Sequence, residues 1–178
     1  MSAAEAQPAT ARVHGSGEIG AARDADLVIE AVFENLALKR ELFANLGAAC
    51  RPGTVLATNT STLDVDAIAA ASGRTADVVG MHFFSPANIM RLVEIVRGRE
   101  SSAAALATAR AVTKRIGKIA VTVGNCFGFV GNRMLYAYGR ERELMLLEGA
   151  SPEQIDAAME RFGMAMGPNA VGESTGMR

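Results

Sequence analysis

Two rhythms of apolar residues run along the chain. LVIEAV, Leu27 to Val32, is apolar on both faces and rich in β-branched residues, the pattern of a strand buried between two layers. TVLATNT, DVVGMHFF, RLVEIV and KIAVTVG repeat the signal, so five strands are predicted, with LVIEAV expected at the centre of the sheet. Between strands the spacing lengthens to that of a helix. ENLALKRELFANLGAAC places Leu38, Leu42 and Leu46, with Leu36 and Phe43 nearby, on one stripe that Arg51-Pro52-Gly53 ends. STLDVDAIAAASG predicts a short helix stopped by Ser72-Gly73, and SSAAALATARAVTKRIG a longer one with a glycine stop. Strands alternating with helices at this spacing imply an α/β domain with a mainly parallel sheet.

From GFVGNRMLYAYGRERELMLLEG onward the pattern is helical alone. SPEQIDAAMERFG opens with a capping box, Ser151 with Gln154, and has Pro152 at the first helical position. The closing MGPNAVGESTGMR is glycine-rich without periodicity, so this helical unit is expected to stop early. The predicted organisation is an irregular segment over 1–21, a sheet domain over 22–124 and the beginning of a helical domain over 125–178.

One motif invites a nucleotide. GSGEIG, Gly15 to Gly20, has the glycine spacing that wraps a pyrophosphate, but that loop works only between a buried strand and a helix N-terminus. Only Ala11 to His14, behind a polar Ala/Gln/Pro segment, precede it. AARDAD, which follows, leaves no room for a crossover helix before LVIEAV, since a βαβ connection needs at least ~10 to 12 residues. A surface turn is predicted, with His14 a solvated loop residue.

Composition narrows the class. The 178 residues are 49% hydrophobic and 21% charged, with a net charge of −1, which gives no electrostatic support to nucleic-acid binding. Cys50 and Cys126 lie far apart, match no metal spacing and suit a reducing compartment. No run approaches the ~20 apolar residues of a membrane span, and the opening residues lack a secretory layout, so a soluble cytoplasmic protein without a membrane or metal role is expected.

Polar groups at strand ends mark candidate chemistry, because open α/β sheets bind ligands there. In GMHFFSPANIMRLVEIV, His82 closes one strand and Glu94 lies between Val93 and Ile95 in the next. A carboxylate inside an apolar strand needs a partner. The chain can double back through Ser85-Pro86, letting Glu94 accept from one ring nitrogen of His82 while the other faces a ligand, as a general base requires. A structural pair or a solvated edge glutamate is the ordinary alternative. Thr58 to Ser61, TNTS, can hydrogen-bond a ligand, although a turn and helix cap is the favoured local reading. Asn132, near the start of the helical unit, can donate and accept, or simply cap. Glu34 and Lys39 follow the first strand, where such charges usually form a solvated helix face.

The stretches DADLVIEAVFENLALKRELF, ATNTSTLDV, GMHFFSPANIMRLVEIV, VGNCFGFVGNRML and MGPNAVG, in this order, resemble the L-3-hydroxyacyl-CoA dehydrogenase family, in particular the dehydrogenase portion of multifunctional fatty-acid β-oxidation enzymes. The resemblance implies a partial Rossmann-like domain and NAD-dependent oxidation of a 3-hydroxyacyl-CoA to the 3-ketoacyl-CoA. It makes His82 the catalytic base and Glu94 its orienting carboxylate. Ser61 and Asn132 are implied as substrate-binding, with Glu34, Lys39 and Asn59 on the nicotinamide-ribose side of NAD. It further implies an internal fragment lacking the first βαβ unit and most of the helical domain. LVIEAV would then be left at an exposed edge, inviting self-association or a complementing N-terminal portion. The alternative is a non-catalytic remnant that binds acyl-CoA or a protein partner.

Overall fold

The computed structural model describes residues 7–8 and 10–175. Strands β1 (Leu27–Glu30), β2 (Val55–Thr58), β3 (Val78–Phe83), β4 (Leu92–Arg97) and β5 (Ile119–Gly124) form one sheet in the order β1-β2-β3-β4-β5. All neighbours are parallel except the antiparallel pair β3–β4. Helices α1 (Leu36–Ala49), α2 (Val65–Ala71) and α3 (Ala103–Arg115) connect the parallel strands, and α4 (Gly131–Leu147), α5 (Pro152–Phe162) and α6 (Pro168–Thr175) follow the sheet.

Period-two alternation sorts the core into two faces. Val55 and Ala57 of β2 join Val79, Met81, Val93 and Ile95 beneath Ala105 and Ala109 of α3. Leu56 points the other way, with Val78, into Phe43 and Leu46 of α1 and Ile68 and Ala69 of α2. Each fully buried Val, Ile, Leu, Met or Phe side chain contributes roughly 1.5–3 kcal/mol of transfer free energy.

Several expectations are corrected. LVIEAV is not central: β1 stops at Glu30 and is an edge of the sheet, with Ile29 exposed, so its apolar character on both faces is only partly used. The buried stripe of α1 is Lys39, Phe43 and Leu46, and Leu38 is exposed. The stripe is displaced because the interior position that apolarity assigned to Leu38 belongs to a lysine with buried partners. The cap of α2 is Asp64, whose side chain accepts from Asp66 N, and not the TNTS segment. Within TNTS, the Thr60 hydroxyl instead closes the turn before that helix by accepting from Leu63 N at 2.9 Å.

The tail also differs, since Pro168–Thr175 forms α6. Its first N–H groups are capped from another helix: the Asp156 carboxylate accepts from Asn169 N at 2.9 Å and Ala170 N at 3.0 Å. A cap supplied across 13 residues leaves no local signature in the sequence. The capping box of Ser151 and Gln154 is present as predicted, and Gly163 ends α5 in the left-handed conformation. GSGEIG lies outside the sheet, with Gly15, Gly17 and Gly20 in open space and a short 3-10 turn over Ile19–Ala22. No strand precedes it among the described residues, and His14 is exposed. No helix among the described residues is long and apolar enough to cross a membrane.

Candidate active site

The antiparallel turn-back of β3 onto β4 sets His82 directly opposite Glu94 in the ladder. Cross-strand partners share a face, so the two side chains must meet. His82 Nδ1 lies 2.9 Å from Glu94 Oε2, with the residues only 6% and 2% exposed. The other carboxylate oxygen, Oε1, accepts the backbone N–H of Val130 at 3.0 Å and of Gly131 at 2.9 Å. Those are the first amides of α4, which has no side-chain cap of its own, so Glu94 caps that helix and is stabilised by its positive end. With the carboxylate acting only as acceptor, Nδ1–H is the donor, an arrangement that in the neutral imidazole puts the lone pair on Nε2.

A tight turn delivers α4 to this position. Gly128 (φ 69°) and Phe129 (φ 47°) are both left-handed, and Phe129 is fully buried against the β-sheet, which offsets the strain a non-glycine residue meets there. The His82 ring is walled by Phe84 and Phe129, at centroid distances of 4.5 and 5.7 Å. Gly131 admits Phe84: a Cβ there would lie 2.7 Å from the end of its ring. Lys118 steadies the loop between β3 and β4, its Nζ donating to Ala87 O at 2.5 Å and Met90 O at 2.7 Å.

A second cluster occupies the ends of β1 and β2. Glu34 Oε1 accepts the Thr60 hydroxyl at 2.6 Å, Ser61 N at 2.8 Å and Thr62 N at 3.1 Å, and the Ser61 hydroxyl at 3.1 Å. Burial pushes this carboxyl up, but the Thr60 hydroxyl, the two amides and the Lys39 ammonium outweigh it and hold its pKa at about 2. Lys39 is fully buried. Its Nζ donates to Glu30 Oε1 at 2.6 Å and Val32 O at 3.3 Å, and lies 3.4 Å from Glu34 Oε2. The solvated helix face that charge patterning suggests for this pair is therefore not what forms.

All seven sequence-predicted residues fall in one connected region. Asn59 Oδ1 accepts Phe83 N at 2.8 Å, tying the end of β2 to the residue after His82. Asn132 Nδ2 donates to Ser61 O at 3.4 Å, tying α4 to the β2–α2 loop. Sequence reasoning missed Glu30, the Val130 and Gly131 amides and the Phe129 wall, and it named Thr60 within TNTS without its partner Glu34. Glu30 carried the same signal as Glu94, a carboxylate in an apolar strand, and the amides carried none.

The donors and acceptors at the β1 and β2 ends fit the ribose and nicotinamide half of a dinucleotide, with Glu34 partly open to solvent beside the Ser61 hydroxyl. GSGEIG does not fit its pyrophosphate, since it meets neither a strand end nor the sheet. A mainly parallel sheet with an imidazole–carboxylate pair at its strand ends is a Rossmann-like fold equipped for acid–base chemistry. The family models agree: residues 1–126 match the 3-hydroxyacyl-CoA dehydrogenase NAD binding domain, and residues 128–178 its C-terminal domain. The chain belongs to the 3-hydroxyacyl-CoA dehydrogenase family.

Among its relatives, the peroxisomal bifunctional enzyme of Danio rerio is 54% identical over 155 residues, 87% of this chain and 22% of that protein. The fatty acid oxidation complex subunit alpha of Acinetobacter baylyi is 42% identical over 159 residues, 87% of this chain and 22% of that protein. The chain thus spans about a fifth of the length of the curated relatives it matches. The crystal structure of (S)-3-hydroxybutyryl-CoA dehydrogenase from Ralstonia eutropha superposes with a TM-score of 0.93 at 36% identity, covering 98% of this chain and 62% of that one.

Proposed function

We propose that the chain carries the catalytic portion of an NAD-dependent 3-hydroxyacyl-CoA dehydrogenase, an oxidoreductase that turns (S)-3-hydroxyacyl-CoA into 3-ketoacyl-CoA in fatty-acid β-oxidation. The observation that carries this reading is the His82 Nδ1 to Glu94 Oε2 contact of 2.9 Å, in which Glu94 is fixed by the α4 amides and His82 Nε2 is left as base. His82 takes the proton of the 3-hydroxyl at Nε2, and Glu94 holds the imidazolium that forms. Ser61 and Asn132 hold the substrate oxygens. NAD bound at the β1 and β2 ends supplies the hydride acceptor. Glu34 and Asn59 line its nicotinamide-ribose side, with the buried Lys39 ammonium beneath, 3.4 Å from Glu34 Oε2. Residues 22–124 serve as part of the NAD-binding domain and 125–178 as the start of the helical one. The free thiols of Cys50 and Cys126 suit a reducing compartment, the cytoplasm or the peroxisomes and glyoxysomes named in the relatives.

A second reading, a non-catalytic binder of acyl-CoA or of a protein partner, is favoured by the position of GSGEIG outside the sheet. One experiment separates the two. The chain is mixed with NAD and (S)-3-hydroxybutyryl-CoA, and NADH is followed by absorbance. Turnover is expected, falling about 1,000-fold in His82→Gln with acetoacetyl-CoA affinity by calorimetry little changed. Turnover indifferent to that substitution overturns the assignment, and acetoacetyl-CoA binding without NADH affinity selects the second reading.

A further inference from the structure

We propose that Glu30 is a positioning residue for the cofactor side of the site: by taking the buried Lys39 ammonium, it leaves Glu34 free to hold residues 60–62 in place. The inference rests on the reading of Glu34 and Ser61 as ligand-facing residues. A lysine at 0% exposure requires a carboxylate, and two are within reach. Distance assigns it to Glu30, at 2.6 Å, over Glu34 at 3.4 Å.

Glu30 is built to stay where it is. It is 4% exposed, its Oε1 also accepts Val32 N at 2.7 Å, and its Oε2 accepts the Thr58 hydroxyl at 2.7 Å from the neighbouring strand. Lys39 is therefore neutralised from below by a carboxylate anchored to β1 and β2. Glu34, with its side chain 36% exposed, uses Oε1 on the 60–62 loop and leaves Oε2 only loosely engaged with the ammonium. Without the charge on Glu30, the stranded ammonium has one carboxylate left. Contracting the 3.4 Å gap would draw Glu34 down from the loop, releasing Ser61 N and Thr62 N and, through Ser61 O, the Asn132 contact.

Amide hydrogen exchange by NMR on the 178-residue chain tests this without a ligand. In Glu30→Gln, protection at Ser61 and Thr62 is expected to fall about tenfold, as for loss of a charge-assisted acceptor, while Leu56 and Ala57 in β2 hold theirs. Adding Lys39→Met removes the stranded charge and is expected to return Ser61 and Thr62 to within about threefold of the parent. A single variant that fails to fold while the double variant folds supports the same assignment. Unchanged protection at Ser61 and Thr62 in the single variant overturns it. So does a loss spread through β1 and β2 that persists in the double variant, or failure of both variants to fold. If the parent chain binds no NADH, the proposed function fails, and the exchange pattern still decides the role of Glu30.

Discussion

At the scale of single residues, buried charge organises the site. Glu94 and Glu30 are both carboxylates in apolar strands, and each is satisfied by three or more donors from different elements. Glu34 is the titrating counterpart. Its folded pKa of about 2 lies below the ordinary 4.5, so its contribution to stability is present above that ordinary value. It is lost as pH falls from about 4.5 towards 2, where the folded-state carboxyl finally takes a proton. Urea melts across this window are expected to show a shallower acid loss in Glu34→Gln than in the parent, with the two chains losing stability in parallel if the loop hydrogen bonds carry nothing.

At the scale of elements, the site depends on close approaches. α1 and α2 pack backbone to backbone at Gly47, where a Cβ would overlap the Ser72 carbonyl oxygen. Gly139 lies in α4 with open space around its Cα. Two substitutions of identical chemistry should therefore differ in sign. Gly47→Ala is expected to destabilise by about 1–3 kcal/mol, as overpacking does. Gly139→Ala is expected to stabilise by roughly 0.5–1 kcal/mol through helix entropy alone. Thermal melts by circular dichroism give both values, and equal effects would show that the α1–α2 contact relaxes freely. Gly131 is a third close approach, and it links packing to chemistry because the ring it admits, Phe84, lies against His82.

At the scale of the whole molecule, the sheet ends at β1 in an edge that pairs with no other strand among the described residues. β1 offers its outer backbone groups and Ile29, with Phe33 exposed in the loop beyond. Exposed backbone groups on an edge strand can template pairing with another chain. Sedimentation velocity is expected to show mass rising with concentration, and Ile29→Lys is expected to suppress the rise. A mass that stays monomeric in the parent at every concentration would show that the edge does not drive association.

Much of this architecture was legible in the order of residues. Periodicity identified the five strands and α1 to α5, because apolar spacing reports directly on which positions face a core. The His82–Glu94 pair was legible for the same reason: a charge amid apolar residues announces a partner, and a short antiparallel return supplies one. Glu34, Lys39, Asn59, Ser61 and Asn132 could be named, but their contacts could not. Tertiary structure alone decided that Lys39 is interior. It alone brought the α4 amides to Glu94 and the Asp156 cap to α6. Each of these joins groups distant in sequence through backbone N–H donors or buried charges, and every residue but proline carries such a donor, so composition cannot say which one the fold will bring near.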